Sequence, residues 1–254
     1  VLFPTATTWC STWPVPEVFP GSSLPNAMVQ VSPVTKFHSG AGYQYEDSVI
    51  YGFTHTNKGH WNLCHIPLLP VTGTPTPGDY CSPFSHERES AAPGYYQVFL
   101  DRYGVDAQLS STLRCAFHKY TYPAGAAASL LADLQRSNEH VRAWDIRKEG
   151  DNVFAGWQQT GEKMYFYAVA NRPVTGIEPV VEGDREVRIV RFGEGDGALE
   201  LRIGFSFVSE KNARENLEAE MLGKSFAEVR SEATATWNDL LVKCAGHGIS
   251  SVGD

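Results

Sequence analysis

The amino-acid sequence predicts a mainly β protein: a large antiparallel β-sandwich, or supersandwich, followed by a short two-helix linker. Three observations carry this expectation. Short runs of alternating apolar and polar residues recur between residues 28 and 208, separated by turns bearing Gly, Asp and Pro at the spacing of a sandwich or barrel. Two of these runs, 95–100 (YYQVFL) and 105–111 (VDAQLSS), flank Arg102, Tyr103 and Gly104 and form the clearest hairpin in the chain. After Val208 the texture changes abruptly to Glu-, Lys- and Ala-rich sequence, which favours helix. The expected division is a β-sandwich over 1–209, a helical linker over 210–243 and an irregular tail over 244–254.

Taken in order, residues 1–25 are rich in Pro, Thr and Ser and read as an irregular entry. Residues 28–31 (MVQV) alternate before Ser-Pro and predict a short strand, and 43–53 hold one or two more. Residues 66–69 form an apolar run closed by Pro70, which predicts a buried strand stopped by proline. Residues 71–83 are a loop by composition. The run 115–122 (CAFHKYTY) alternates, placing Cys115, Phe117, Lys119 and Thr121 on one face and Ala116, His118, Tyr120 and Tyr122 on the other. Helix propensity favours a helix over 126–134. Residues 140–146, 152–159, 164–170, 186–192 and 199–208 continue the β pattern. Residues 193–197 (GEGDG) read as a turn.

In the helical end, 210–221 predicts one helix broken at Gly223. Ser225 and Glu228 form a capping box that starts a second. Val229, Ala233, Trp237, Leu240 and Leu241 recur at helical spacing. An apolar stripe of this kind on an unpartnered linker predicts self-association or a missing partner.

At 254 residues the chain is long enough for one large β domain with a sizeable core. A formal net charge of −8 argues against nucleic acid and anionic membranes as partners, and no apolar run is long enough to span a bilayer. Nothing within these residues reads as a signal peptide. The cysteines Cys10, Cys64, Cys81, Cys115 and Cys244 show no C-x-x-C spacing, so a zinc ribbon or thioredoxin-like motif is unsupported.

The stretch 39–70 concentrates the polar chemistry, with HTNKGHWNLCH over 55–65 between two strand-like runs. One reading makes His55, His60, Cys64 and His65 a soft-metal site of a small metalloenzyme, although their spacing matches no usual zinc motif. The other makes His55 and His118 satisfied core histidines and Cys64 a buried thiol. Two acidic pairs are prominent: Glu46 with Asp47, on a strand and so on opposite faces, and Glu87 with Glu89, in a loop beside His86. Both predict structural roles rather than the spaced carboxyls that glycoside hydrolysis needs.

Four segments, 20–35 (PGSSLPNAMVQVSPVT), 42–56 (GYQYEDSVIYGFTHT), 85–123 and 207–241, resemble the N-terminal β-sandwich domain of glycoside hydrolase family 92, the calcium-dependent exo-α-mannosidases. The resemblance implies strand rather than helix over 126–134. It implies an α-1,2-mannosidase type of enzyme acting on mannose-containing glycans, secreted or periplasmic and bacterial. The family's general acid, general base and most calcium ligands come from a C-terminal (α/α)6 domain, so the resemblance assigns no catalytic residue here and implies that the chain alone is inactive. What it does assign is a share of the sugar pocket: His38, Ser39 and Gly40 from one loop, and Lys58, His60, Trp61 and Asn62 from another. In such a pocket the Trp61 indole would stack on a pyranose face, with imidazole and amide groups reaching its hydroxyls. Many family members carry a Trp-Cys pair where this chain has Ser39-Gly40, so the −1 subsite contact made there does not carry over, and HLSGTG where it has TNKGHWN over 56–62, which implies a different linkage preference or a lost one. The alternative is a stand-alone carbohydrate-binding β-sandwich module.

Overall fold

The computed structural model describes residues 18–57, 63–195 and 197–247. In chain order its strands are β1 (Ser22–Ser23), β2 (Gln30–Val34), β3 (Val49–Ile50), β4 (Gly52–Thr54), β5 (Leu68–Val71) and β6 (Ser82–Pro83). Then follow β7 (Glu89–Ala92), β8 (Tyr95–Leu100), β9 (Val105–Ser111), β10 (Cys115–Thr121), β11 (Ser129–Ala132) and β12 (Ala143–Gly150). The last are β13 (Val153–Gln159), β14 (Lys163–Ala170), β15 (Val174–Glu182), β16 (Arg185–Phe192) and β17 (Leu199–Ser206), before helices α1 (Glu210–Glu220) and α2 (Phe226–His247).

Two antiparallel sheets stack face to face. One runs β1-β2-β4-β5-β11-β16-β15 and the other β12-β13-β14-β17-β10-β9-β8-β7, with β3 and β6 as a separate ribbon. The alternation that predicts strands also fills the space between the sheets. In β14, Met164, Phe166, Ala168 and Ala170 point inward, while Lys163, Tyr165, Tyr167 and Val169 are only half-buried. They meet Val31, Phe53, Leu68 and Leu130 of the opposite sheet in one continuous core. The expected hairpin pairs Tyr95 with Ser110 and Leu100 with Val105.

Residues 129–132 are strand, so the resemblance rather than helix propensity describes them. Four strands are absent from the sequence expectation: the two-residue β1 and β6, inside stretches read as irregular, and β7 and β15, which lie at sheet edges. β15 carries Gly176 and Pro179, which disguise it, and an outermost strand tolerates both. β7 begins at Glu89, which is therefore in a strand and not a loop. Glu46 sits in a turn rather than a strand. Pro70 does not stop β5 but lies inside it, opposite Leu130. Pairing with β4 is confined to Phe53 and Leu68, so the other edge of β5 needs no ladder donor at residue 70.

The helices are more than a linker. α1 lies directly on β17: a Cβ added to Gly204 would fall 2.1 Å from the Ala213 carbonyl oxygen. α2 crosses the hairpin, where a Cβ on Gly94 would meet that of Ala233 at 2.5 Å. Beneath them Tyr95, Cys115, Phe117, Leu217, Met221, Phe226 and Val229 form a second apolar cluster on the outer face of the sheet. Cys115 and Phe117 lie under the helices while Ala116 and Tyr120 enter the main core, which matches the two faces read from 115–122. Ser225 and Glu228 cap α2 reciprocally, with Ser225 N donating to Glu228 Oε2 at 2.8 Å and Glu228 N to Ser225 Oγ at 3.3 Å. The expected exposed stripe is thereby divided. Val229 and Ala233 are buried, and Trp237 donates its indole N–H to the Ser23 carbonyl at 2.6 Å. Leu240 stays 39% exposed. α2 continues to His247, past the expected boundary at 243.

Candidate functional site

At one end of the sandwich three irregular segments meet. The first is the turn 36–42 after β2. His38 and Gly40 take left-handed backbone angles (φ 60° and 57°), and Ser39 Oγ closes the turn on the Lys36 carbonyl at 2.6 Å. The second is 63–66, leading into β5. Here Leu63, Cys64 and Ile66 are all left-handed, with φ of 74°, 58° and 55°. For residues bearing a Cβ this costs about 1–2 kcal/mol each, and for the β-branched Ile66 it is a marked outlier. Asn26 is the one other described non-glycine residue with positive φ, so backbone strain concentrates here. The third segment is the polar stretch 133–142 between β11 and β12.

Hydrogen bonds hold the three together. Asn138 accepts from His38 N at 2.8 Å through Oδ1 and donates to the Gly40 carbonyl at 3.1 Å through Nδ2, while its own carbonyl accepts from His38 Nδ1 at 2.9 Å. The Leu63 carbonyl accepts from Asn138 N at 3.0 Å and from Ser137 Oγ at 2.8 Å. Gln158, fully buried, accepts from Ile66 N at 2.8 Å and donates to the carbonyls of Leu134 and Arg136. These bonds offset the strain and fix the loops.

The result is an open cleft of about 780 Å³ bordered by His38, the 135–144 stretch and Asp184 with Arg185. Two of its arginines are held rigidly. Arg136 lies between Phe37 and Tyr51, 4.5 and 4.7 Å from their ring centres, and donates to Tyr80 Oη. Arg185 is paired at 2.6 Å with Asp133, a buried carboxylate that also accepts from Tyr80.

Of the residues expected to face sugar, His38 is exposed at the cleft wall. Its Nδ1 must donate, because a carbonyl can only accept, so a neutral ring presents Nε2 as an acceptor. Ser39 is buried with its hydroxyl engaged, and Gly40 is buried behind it, so both shape the turn. Lys58, His60, Trp61 and Asn62 lie outside the described residues. Asn138, Gln158, Arg136 and Trp144 are missed by sequence reasoning. The signal was the unbroken polar run 135–140 (QRSNEH) between two strands, of which His140 was read as the start of the second.

Of the four residues in the metal reading, His60 lies outside the described residues and the other three are already engaged. His55 Nδ1 donates to the Ile66 carbonyl at 2.9 Å, so its Nε2 accepts from His118 Nε2 at 3.0 Å, and His118 Nδ1 in turn accepts from Tyr120 Oη at 2.6 Å. Burial lowers the pKa of His55 to about 3 and drives that of His118 well below its usual value. His65 spends both nitrogens on Thr56 and Thr160, and burial lowers its pKa to about 4. Burial pushes the Cys64 thiol up to about 12, so it stays protonated. Among the described residues no three His, Cys, Asp or Glu side chains converge as ligands, and Cys64, Cys81 and Cys115 are free thiols.

Of the two acidic pairs, Glu89 has a structural role. Glu89 accepts from Tyr43 at 3.0 Å and from Tyr96 at 2.6 Å, and contacts His86 Nδ1 at 2.6 Å. Burial, reinforced by the Glu89 charge, raises the pKa of both tyrosines.

The family model for the glycosyl hydrolase family 92 N-terminal domain matches residues 7–216. The chain belongs to glycoside hydrolase family 92 and comprises that domain. It is similar to a family GH92 alpha-mannosidase from Bacteroides thetaiotaomicron, at 26% identity and a TM-score of 0.82, covering 89% of this chain and 36% of that one. The GH92 inverting mannosidase from Bacteroides thetaiotaomicron VPI-5482 shares the fold at 23% identity and a TM-score of 0.76, covering 89% and 33%. An uncharacterized secreted glycosidase from Arthroderma benhamiae is 24% identical over 93% of this chain and 38% of its own length. The chain thus spans little more than a third of these relatives.

Proposed function

We propose that this chain is the sugar-facing N-terminal part of an exo-acting α-mannosidase of the α-1,2 type, which removes terminal mannose from glycans outside the cytoplasm. The observation that carries the reading is the strained turn 36–42, pinned by Asn138, whose His38 borders the cleft. Strained backbone held by a buried hydrogen-bond network is the signature of a preorganised site. The solved relative at 26% identity is itself named an alpha-mannosidase.

The role of this chain is binding and orientation. His38 offers an acceptor to a sugar hydroxyl, Asn138 and Gln158 hold the loops, and Lys58, His60, Trp61 and Asn62 are expected to add sugar contacts. Hydrolysis needs two carboxyls placed across the glycosidic bond. Glu89 and Asp133 are buried and already bonded; in this reading a C-terminal (α/α)6 domain supplies the acid and base, and the chain alone is expected to be inactive. That domain also supplies most ligands for calcium, the ion that assists the chemistry when bound. The described residues offer no cluster of ligands for it.

The test uses the full-length protein. Mannose release from α-1,2-mannobiose is expected in calcium and lost after chelation, with none from residues 1–254 alone. A full-length protein that releases no mannose from α-mannosides in calcium would overturn the reading.

A further inference from the structure

We propose that the buried chain Tyr120–His118–His55 is an acid-released latch on the strained segment 63–66, so that a proton taken up by either imidazole frees this segment before the sandwich unfolds. The hydrogen bonds run one way only. The Ile66 carbonyl can only accept, so His55 Nδ1 carries the proton and donates to it at 2.9 Å. His55 Nε2 is therefore bare and accepts from His118 Nε2 at 3.0 Å, and His118 Nδ1 accepts from Tyr120 Oη at 2.6 Å. All three side chains are fully buried.

Neither ring can gain a proton and keep this pattern. A proton on His55 Nε2 meets the one on His118 Nε2. If His118 instead shifts its proton to Nδ1, the Tyr120 hydroxyl is left as a buried donor without an acceptor. Nor is the new charge offset. His118 packs on Phe53 of β4 and His55 on Phe205 of β17. The titratable groups facing the chain are Tyr120 and Tyr122 of β10 and His65 of the segment itself, and among the described residues neither ring has a carboxylate partner. His65 differs. Its partners Thr56 and Thr160 are hydroxyls, which can turn to accept from an imidazolium, and the Glu139 charge favours that form.

The segment at the end of the chain is the one poised to give way, because Leu63, Cys64 and Ile66 all hold left-handed strain. Its Leu63 carbonyl anchors Ser137 and Asn138, so its release also frees the 133–142 stretch. Burial holds the pKa of His55 at about 3 and that of His118 well below its usual value while the latch is closed, against about 6.5 for an exposed histidine. Closure is therefore fully favoured above pH 6.5 and weakens as pH falls below it.

The test is amide hydrogen exchange by NMR on the whole chain between pH 7 and 5, each rate divided by that of an unstructured peptide at the same pH. The reporters are the amides of Cys64, His65 and Ile66, bonded to the Thr56 carbonyl, Thr56 Oγ1 and Gln158 Oε1, set against Phe166 and Ile203 in the core. Opening at 63–66 should rise at least about tenfold over this range, ahead of Phe166 and Ile203. With His55→Gln and His118→Gln together, each amide still donates at one atom and accepts at the other but nothing titrates, and the rise should fall to about twofold or less. His65→Gln leaves the chain intact and should keep the rise. A rise unchanged in the double variant, or lost in His65→Gln, assigns the opening to His65 and overturns the latch, the second result deciding even if the double variant does not fold. Exchange at 63–66 that follows Phe166 and Ile203, or ignores pH, in the unaltered protein overturns it without any variant.

Discussion

The helix-covered face and the cleft end of this domain are built from opposite materials. Under α1 and α2 the contact is apolar and close, with glycines at 94 and 204 letting helix and strand meet and Phe117 against Phe226 at 5.2 Å. At the cleft the backbone is strained and the contacts are hydrogen bonds from Asn138, Gln158 and Ser137. The first arrangement maximises burial; the second spends stability to hold irregular loops in one shape. Changes at the helix-covered face should therefore register in stability, and changes at the cleft in binding.

The largest effect is expected at Phe117, fully buried beneath α2. Phe117→Ala should cost about 3–5 kcal/mol, read as a lower urea midpoint. A shift under 1 kcal/mol would show that the helices are merely tethered.

Acid should act next, through the core and the cleft together. His55 and His65 titrate near 3 and 4 when folded but near 6.5 when unfolded, so the unfolded chain binds the extra protons as pH falls below about 6.5. Stability present above pH 6.5 should be lost on acidification towards pH 4, at about 1.4 kcal/mol per pH unit for each histidine. Melting curves between pH 7 and 5 check this, and a flat profile would contradict the buried neutral assignment.

Asn138→Ala removes the side-chain bonds to His38 and Gly40 and should cost about 1–3 kcal/mol. The same substitution should raise KM for mannosides in the full-length enzyme more than Phe117→Ala does. Equal effects would erase the contrast between the helix-covered face and the cleft end. Leu240→Asn should change stability by less than about 0.5 kcal/mol, since that side chain lies on the outer face of α2.

What could be read from the sequence follows the same division. The core strands and both helices were legible because burial imposes a period: β14 alternates without a break, and the Ser225 and Glu228 cap announces α2. Edge strands escaped, since β7 and β15 bury little and so carry no period. The docking of α1 and α2 was hidden because Gly94 and Gly204 look like ordinary turn or strand glycines until a helix is laid on them. At the candidate site, the loop bearing His38 was named through resemblance. Asn138 was not found, because nothing local marks a residue whose partners lie 98 and 100 positions away.

The account stands most directly on His38, exposed at the cleft and without a role in the core. In the full-length enzyme, His38→Ala should lower kcat/KM on an α-mannoside by about tenfold or more while the melting temperature changes little. Unchanged kinetics would contradict the assignment of this end of the sandwich to the sugar.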